Sequence, residues 1–316
     1  AKGTRAGRAG SAPRSLPQAP AVASSRPTGR PGVPAAASAA LRADAAGPRA
    51  GGLRPVLPVR WDLSPTDAIR LQRQLRGRVR RERLAAARIR RVAGCDVAIA
   101  GDRLFAAVLL LELPDLRVIE TAAASLPASF PYVPGLLSFR EIPVLLEAFA
   151  RLREIPEAIL CDGHGFAHPR RFGLAAHLGV LLDLPTVGCA KSVLIGTHAE
   201  PGPLRGDRAP LRDGGEVVGT ALRSRDRTRP IYISTGHRVT LGDAVRLVLR
   251  CGRGYRLPEP TRLADQHVGK LAREARESRS GSPAATAEPD APVPAGSAPR
   301  RSRRGGAILP VSEPTA

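Results

Sequence analysis

Two apolar stretches, Val92-Ala-Gly-Cys-Asp-Val-Ala-Ile99 and Ala158-Ile-Leu-Cys-Asp162, each carry a single aspartate. Their composition predicts strands that are buried in a sheet. An ionised carboxylate in such surroundings costs free energy unless a partner compensates it. If the two strands are parallel neighbours, Asp96 and Asp162 lie side by side, and their repulsion raises a carboxyl pKa unless a cation lies between them.

The segments around these strands predict an α/β domain with a mixed sheet. Apolar runs separated by turn residues indicate an antiparallel meander that begins near residue 92. The expected strands are 92–100, 104–113, 118–124, 158–161, 186–190, 217–223 and 231–234. Helical spacing of apolar residues predicts helices at 64–84, at 138–153, at 174–182 and from Thr240 onward. Because a strand reached through a helix pairs in parallel by a right-handed crossover, strands 158–161 and 186–190 should extend the meander in parallel.

The charge of the chain favours a polyanionic partner. The 316 residues include 49 lysines and arginines against 28 acids, which gives a net charge of +21. An excess of this size is typical of proteins that bind nucleic acid. About half of it lies between residues 60 and 268, so the positive charge is not confined to the chain ends.

Composition divides the chain into three parts. Residues 1–58 are rich in Ala, Pro, Gly, Ser and Arg and lack apolar periodicity, which predicts a disordered basic tail. Residues 59–268 are predicted to form one folded domain, and residues 269–316 a second disordered, polar tail. An organelle transit peptide is the alternative interpretation of the N-terminal segment.

Cysteine usage and hydropathy bear on the compartment. The four cysteines form no CxxC pair, and Cys95, Cys161 and Cys189 lie in apolar runs. This pattern predicts buried thiols in a reducing compartment, and we expect a cytoplasmic protein. No stretch reaches the roughly 18 apolar residues that a membrane span needs, so no membrane partner is expected.

Two further acids can complete a carboxylate site. Glu141, near the start of the helix between the two strands, can lean over the same end of the sheet, and Asp265 can close the group from the C-terminal side. Carboxylate oxygens suit Mg²⁺ or Mn²⁺ rather than zinc. A metal held there can align a water and neutralise charge on a phosphate, as a hydrolytic nuclease requires. The alternative is that Asp96 pairs with a buried arginine and Asp162 only turns the chain.

Loop residues beside these acids suggest contacts with nucleic acid. The tight Asp162-Gly-His-Gly165 segment lets a ligand approach the backbone closely, and His168 can contact a base or a phosphate. Lys191 follows a buried strand and can meet a phosphate. Tyr132 lies between two prolines, whose rings fix φ, and can wedge between bases. The alternatives are an ordinary surface histidine, a solvated lysine and a tyrosine packed on the core.

Longer motifs resemble those of the endonuclease V family. They are Phe130-Pro-Tyr-Val-Pro-Gly-Leu-Leu-Ser-Phe-Arg-Glu141, Asp162-Gly-His-Gly-Phe-Ala-His-Pro-Arg-Arg-Phe-Gly173, Pro185-Thr-Val-Gly-Cys-Ala-Lys191, Thr235-Gly-His-Arg-Val239 and Tyr255-Arg-Leu-Pro-Glu-Pro-Thr-Arg-Leu-Ala-Asp265. The resemblance runs from about residue 60 to residue 265. Both tails lie outside it.

The resemblance implies a ribonuclease H-like fold and a Mg²⁺-dependent DNA repair endonuclease in which Mn²⁺ can substitute. It implies hydrolysis of the second phosphodiester bond 3′ to deoxyinosine, leaving 3′-hydroxyl and 5′-phosphate ends. It assigns catalysis to Asp96, Glu141, Asp162 and Lys191, metal binding to Asp96, Asp162, Glu141 and Asp265, and substrate binding to Tyr132, Gly135, Leu137, Gly163 and His168. His237 also lies in a matching motif, but the resemblance assigns it no role.

Two other functions remain open from the sequence. One is an endoribonuclease that acts on inosine in RNA, because a single 2′-hydroxyl contact can separate RNA from DNA. The other is a non-catalytic nucleic-acid-binding protein, which would keep the basic surface without needing the acids. We expect a monomer whose partner is DNA containing deaminated bases.

Overall fold

The computed structural model describes residues 52–58 and 60–280, which build one mixed sheet with helices on both faces. The helices are α1 (Pro65–Arg76), α2 (Leu137–Phe149), α3 (Leu174–Leu182), α4 (Leu241–Arg250) and α5 (Glu259–Ser280). The strands are β1 (Arg91–Ala100), β2 (Arg103–Glu112), β3 (Arg117–Pro127), β4 (Ala158–Cys161), β5 (Thr186–Ala190), β6 (Arg208–Asp213), β7 (Glu216–Leu222) and β8 (Ile231–Thr235). A short 3₁₀ turn, Ala86–Arg88, precedes β1.

The sheet has the strand order β3-β2-β1-β4-β5-β8-β7-β6. Its centre, β1, β4 and β5, is parallel, and the other neighbours are antiparallel. The β1–β4 register pairs Cys95 with Cys161, so the residues that follow them, Asp96 and Asp162, are adjacent. The expected ribonuclease H-like mixed sheet flanked by helices is therefore confirmed, and so is the parallel pairing that brings the two aspartates together.

The core has one layer on each face of the sheet. Val92 and Leu160 pack in the layer that includes α4 and α5, whereas Ala93 and Ile159 pack in the layer that includes α2 and α3. Successive strand residues point to opposite faces, and both faces are covered. This double burial explains why the central strands appear in the sequence as continuous apolar runs rather than as alternating ones.

Several elements differ from the sequence-based expectation. The first helix ends at Arg76 rather than near residue 84, because Gly77, a poor helix former, follows it. The helix expected from Thr240 onward is in fact two helices, α4 and α5, with residues 251–258 between them. Strand β6 was not expected at all, since its alternating charges and Pro210 resemble a loop.

The borders of the folded part also lie outside the predicted 59–268. Leu53 is buried against the layer of α2 and α3, and the Val56 N–H donates to the Leu181 carbonyl, so part of the predicted tail is packed. At the other end α5 continues to Ser280, because Val268 and Ala272 prolong its buried face beneath a charged sequence. The rest of both predicted tails lies outside the described residues. None of the described helices is long and apolar enough to cross a membrane.

Candidate metal centre and adjoining pocket

Three carboxylates meet where β4 ends. Asp96 comes from β1, Asp162 follows β4, and Asp265 comes from α5. One carboxylate oxygen of each lies within 4.8 Å of the others. Within the described part of the chain no arginine pairs with Asp96, whose Oδ1 accepts instead from the Val97 N–H at 2.8 Å. The interpretation of Asp96 as the partner of a buried arginine is therefore wrong.

A glycine on β1 allows α5 to pack close enough to place Asp265 beside Asp96. A Cβ on Gly94 would lie 2.1 Å from the carbonyl carbon and oxygen of Pro260, in the first turn of α5. Only a residue without a side chain lets the helix backbone come this close to the strand. Asp265 is placed beside Asp96 by this contact, whose sequence signal is a single glycine among apolar residues.

The acids are crowded and partly withdrawn from water. Burial, and after it the charge of Asp162, raises the pKa of Asp96 to about 7. Burial, and then the charges of Asp96 and Asp162, raises the pKa of Glu141 to about 8. Glu141 lies close enough to Asp96 and Asp162 to feel their charges, but it is not part of the closely spaced group of three oxygens. Crowded oxygen donors of this kind fit a hard divalent cation such as Mg²⁺ or Mn²⁺, which would relieve the repulsion.

Lys191 lies at the edge of the carboxylate group. Its Nζ is 2.6 Å from Asp162 Oδ2 and 2.9 Å from Asp265 Oδ1. Burial alone would lower the pKa of Lys191, but the hydrogen bonds to the two aspartates outweigh it and raise that pKa. The ammonium is thus charged, and it stands beside the acids rather than in open solvent at the end of β5.

A pocket of about 240 Å³ opens beside the acids. The five residues predicted to bind substrate all line it: Tyr132, Gly135, Leu137, Gly163 and His168. Its other walls include His164, Leu174 and Leu194. Because Gly163 lines the pocket and directly follows Asp162, the pocket lies next to the carboxylate group.

The Gly135 carbonyl anchors the wall of this pocket. It accepts hydrogen bonds from Gln72 Nε2 at 3.1 Å, from His168 Nε2 at 3.0 Å and from Arg170 Nη2 at 2.6 Å. Gly135 has φ +78°, a conformation that a glycine adopts without strain. Three donors on one oxygen fix the loop that carries Tyr132.

His168 holds the pocket wall through hydrogen bonds of both its ring nitrogens. Its Nδ1 accepts from the Arg170 N–H at 3.1 Å, so its Nε2 carries the proton that is donated to Gly135. Burial, and then the charge of Arg170, lowers the pKa of His168 to about 4, which keeps the ring neutral. Since both ring nitrogens are engaged, the structure gives His168 a role in holding the wall. The interpretation of His168 as an ordinary surface histidine is wrong, because its side chain is buried.

Tyr132 projects from the rim of the pocket. It is 72% exposed, so the interpretation of a tyrosine packed on the core is wrong. An exposed aromatic ring on a loop fixed by two prolines is suited to contact a flat partner.

His237 lies away from the acids. Its ring Nδ1 accepts from the Arg80 backbone N–H at 3.2 Å, and its ring Nε2 lies 3.1 Å from Asp183 Oδ1. The backbone N–H of His237 donates to Thr186 Oγ1. Thr186 begins β5, and Lys191 follows the other end of that strand. The buried ring therefore ties together the chain segments at the far end of the sheet.

Sequence reasoning missed two polar residues that hold the pocket. Gln72 is buried on α1, and its Oε1 accepts from Arg170 Nε at 2.5 Å. The partner of Gln72, Gly135, lies 63 positions away in the chain, and nothing in the sequence around a helical glutamine indicates such a partner. Arg170 appears in the sequence analysis only as one residue of the motif 162–173, without a role.

The chain matches the family model described as Endonuclease V over residues 73–266. Among curated relatives, the endonuclease V of Roseiflexus sp. (strain RS-1) is 53% identical over 205 residues, which cover 65% of this chain and 92% of the relative. That of Azotobacter vinelandii is 50% identical over 215 residues, covering 67% of this chain and 96% of the relative.

Solved structures of endonuclease V proteins share the fold. The endonuclease V of Streptomyces avermitilis is 44% identical with a TM-score of 0.67, covering 69% of this chain and 97% of its own. The catalytic domain of human endonuclease V is 41% identical with a TM-score of 0.62, covering 66% and 96%. The Ciona intestinalis protein, 25% identical with a TM-score of 0.59 and covering 66% and 98%, was crystallised with a 24mer DNA containing an inosine followed by a ribo-adenosine. On the family model, the sequence identities and the shared fold together, this chain belongs to the endonuclease V family and is an endonuclease, a hydrolase.

Proposed function

We propose that the chain repairs DNA by hydrolysing the second phosphodiester bond 3′ to deoxyinosine, leaving 3′-hydroxyl and 5′-phosphate ends. One observation carries the proposal: the pocket lined by Gly135, Gly163 and His168 lies next to the group of three carboxylates, because Gly163 directly follows Asp162. A deaminated base extruded into the pocket would place the strand that bears it across the acids. The DNA-bound Ciona intestinalis relative supports inosine as the base.

The residues divide the work as follows. Asp96, Asp162 and Asp265 would hold Mg²⁺, with Mn²⁺ as a substitute, and Glu141 would support them from the side of α2. When bound, the metal aligns the attacking water and neutralises charge on the phosphate. Lys191, already beside Asp162, can exchange a carboxylate partner for an oxygen of the scissile phosphate.

The pocket supplies the choice of base. Tyr132, exposed at the rim, would fill the gap that the extruded base leaves in the stack. Leu137 and Gly163 would contact the base itself, while His168 and Arg170 keep the wall in shape through Gly135. A rigid pocket favours one base over others because its polar groups are already placed.

Inosine-containing RNA is the second candidate substrate. The observation that favours it is the ribo-adenosine that follows the inosine in the nucleic acid bound by the Ciona intestinalis relative. A ribose on the 3′ side of the lesion is therefore tolerated in that protein. We propose in addition that the chain acts as a monomer in the cytoplasm, where its four buried free cysteines would stay reduced.

Matched strands test this proposal. End-labelled DNA and RNA of one sequence, each with a single inosine, are incubated with Mg²⁺ and the wild-type chain, the Asp162→Asn variant or the Asp115→Asn control, in which an exposed acid of the β2–β3 turn is changed. We expect cleavage of DNA by the wild type and the control, and none by Asp162→Asn with its fold intact. Cleavage of the RNA alone would show that RNA, not DNA, is the substrate. Full activity of Asp162→Asn would contradict the proposed carboxylate site.

A further inference from the structure

A second, larger cavity lies beside Lys191. It measures about 620 Å³, and Lys191, which bonds to Asp162 and Asp265, forms part of its lining. The following residues, Ser192 and Val193, line it as well. His164, from the wall of the first pocket, bonds through Nε2 to the Ser192 carbonyl at 3.0 Å, so only a thin segment separates the two spaces.

The lining of this cavity is strongly basic. Its one acid, Glu200, is already paired with Arg223, whose guanidinium also bonds to three backbone carbonyls. Arg227 and Arg229 are exposed, and among the described residues no acid pairs with either. Two unneutralised guanidinium groups at a cavity wall are suited to bind phosphate oxygens.

Arg256 connects this lining to Lys191. It donates to the carbonyls of Lys191 at 2.7 Å, Pro230 at 2.8 Å and Arg229 at 3.0 Å. The loop that bears the free arginines is thereby fixed to the residue beside the carboxylates. Tyr232, half-buried, adds an aromatic ring to the same lining. Cationic groups next to an aromatic ring are the usual elements of a site for a single nucleic-acid strand.

We propose that this cavity, defined by Arg227, Arg229 and Tyr232, binds the nucleotides on the 3′ side of the cut. The inference rests on the proposed function, in which the altered base enters the first pocket and the bond broken lies 3′ to it. A strand that leaves that pocket at Gly163 and passes Asp162 and Lys191 enters the basic cavity, which Lys191 also lines. The 5′-phosphate end of the product therefore lies there, and the strand direction across the protein is set.

Substrate length and arginine content can be varied together to test this. Fluorescent single strands carry one deoxyinosine with a constant 5′ flank and either a short 3′ flank that stops near the cut or a long one. Binding is measured by anisotropy in EDTA, which prevents cleavage, and each strand is also assayed for nicking with Mg²⁺. The variant is Arg227→Ala/Arg229→Ala. The matched control is Arg88→Ala/Arg90→Ala, which removes two exposed arginines that precede β1.

The wild type should bind the long 3′ flank more tightly than the short one, and the variant should lose about tenfold on the long strand alone. Each phosphate contact contributes roughly 0.7 to the salt dependence of single-strand binding, so the slope should fall by about 1 to 2. An equal loss on both strands, or a loss no larger than in the control, would overturn the proposal. If length-dependent binding behaves as expected but no inosine strand is nicked, the proposed function fails while the strand site stands.

Discussion

Replacing Asp96 with asparagine should stabilise the metal-free protein while abolishing its response to metal. In the folded chain burial and the charge of Asp162 raise the pKa of Asp96 from 3.8 to about 7. Each pKa unit corresponds to about 1.4 kcal/mol, so the ionised Asp96 costs at most about 4 kcal/mol. Solvent screening reduces this, and we expect a gain near 2 kcal/mol from Asp96→Asn. Asparagine keeps the acceptor for the Val97 N–H.

The pH dependence follows from the direction of that shift. A carboxyl whose pKa is raised on folding costs nothing below pH about 4, costs more as the pH rises to about 7, and has a constant cost above that. The advantage of Asp96→Asn should therefore be about 40% of its full value at pH 5 and complete at pH 8. For a domain of this size about 2 kcal/mol corresponds to roughly 4–8 °C in the unfolding midpoint.

Thermal unfolding in EDTA, and then in excess Mg²⁺, measures both effects. Magnesium should raise the midpoint of the wild type, because a ligand that binds only the folded state stabilises it, and should leave Asp96→Asn unchanged. Glu147→Gln, an equal change of charge at an exposed position of α2, serves as the control and should behave like the wild type. If Asp96→Asn is less stable than the wild type at pH 8 without metal, the reasoning about crowded acids is wrong.

Three further predictions concern packing, acid stability and the rim of the pocket. Gly94→Ala should destabilise the fold by about 1–3 kcal/mol and weaken metal binding, because its Cβ would meet the Pro260 backbone at 2.1 Å. Urea unfolding and Mg²⁺ titration measure the two effects. Gly77→Ala, whose Cβ would meet no neighbour closer than 3.6 Å, is the control and should show neither effect. Burial lowers the pKa of His177 from 6.5 to about 3, so charging this ring should cost the wild type about 2 kcal/mol more at pH 5 than at pH 7; this cost is measured in urea unfolding as the change with pH of the stability difference between the wild type and His177→Gln, and a difference that stays constant would refute the origin. Tyr132→Ala should leave the unfolding midpoint unchanged, since the side chain is 72% exposed, yet slow the nicking of inosine strands, whereas Tyr132→Phe should nick at the wild-type rate. Equal nicking rates in the wild type and both variants would contradict the role of Tyr132 as a wedge.

Much of the site could be predicted because its signals are local. Asp96 and Asp162 stand out as acids in or directly after apolar strands, and the helix between those strands requires a parallel pairing that places them together. Tyr132 between two prolines is likewise visible in the sequence. Such features need only the residue types and the periodicity of their neighbours.

The remaining features depend on contacts between distant parts of the chain. Gln72 and Arg170 come from two separate segments and meet at the Gly135 carbonyl of a third, which no local pattern encodes. The close approach of Gly94 to Pro260 is a property of how α5 crosses β1. The extent of α5 was missed for a related reason: its buried face is narrow, so its sequence resembles a charged tail.

The most direct test of the account is the cleavage of an end-labelled duplex that carries one deoxyinosine, beside the same duplex with deoxyadenosine. With Mg²⁺ we predict a single nick one nucleotide beyond the lesion on its 3′ side, with 3′-hydroxyl and 5′-phosphate ends, and none in EDTA or in the deoxyadenosine duplex. A duplex that is bound but not cut, or that is cut equally with and without inosine, would contradict the central claim that the pocket and the carboxylates form one inosine-directed nuclease site.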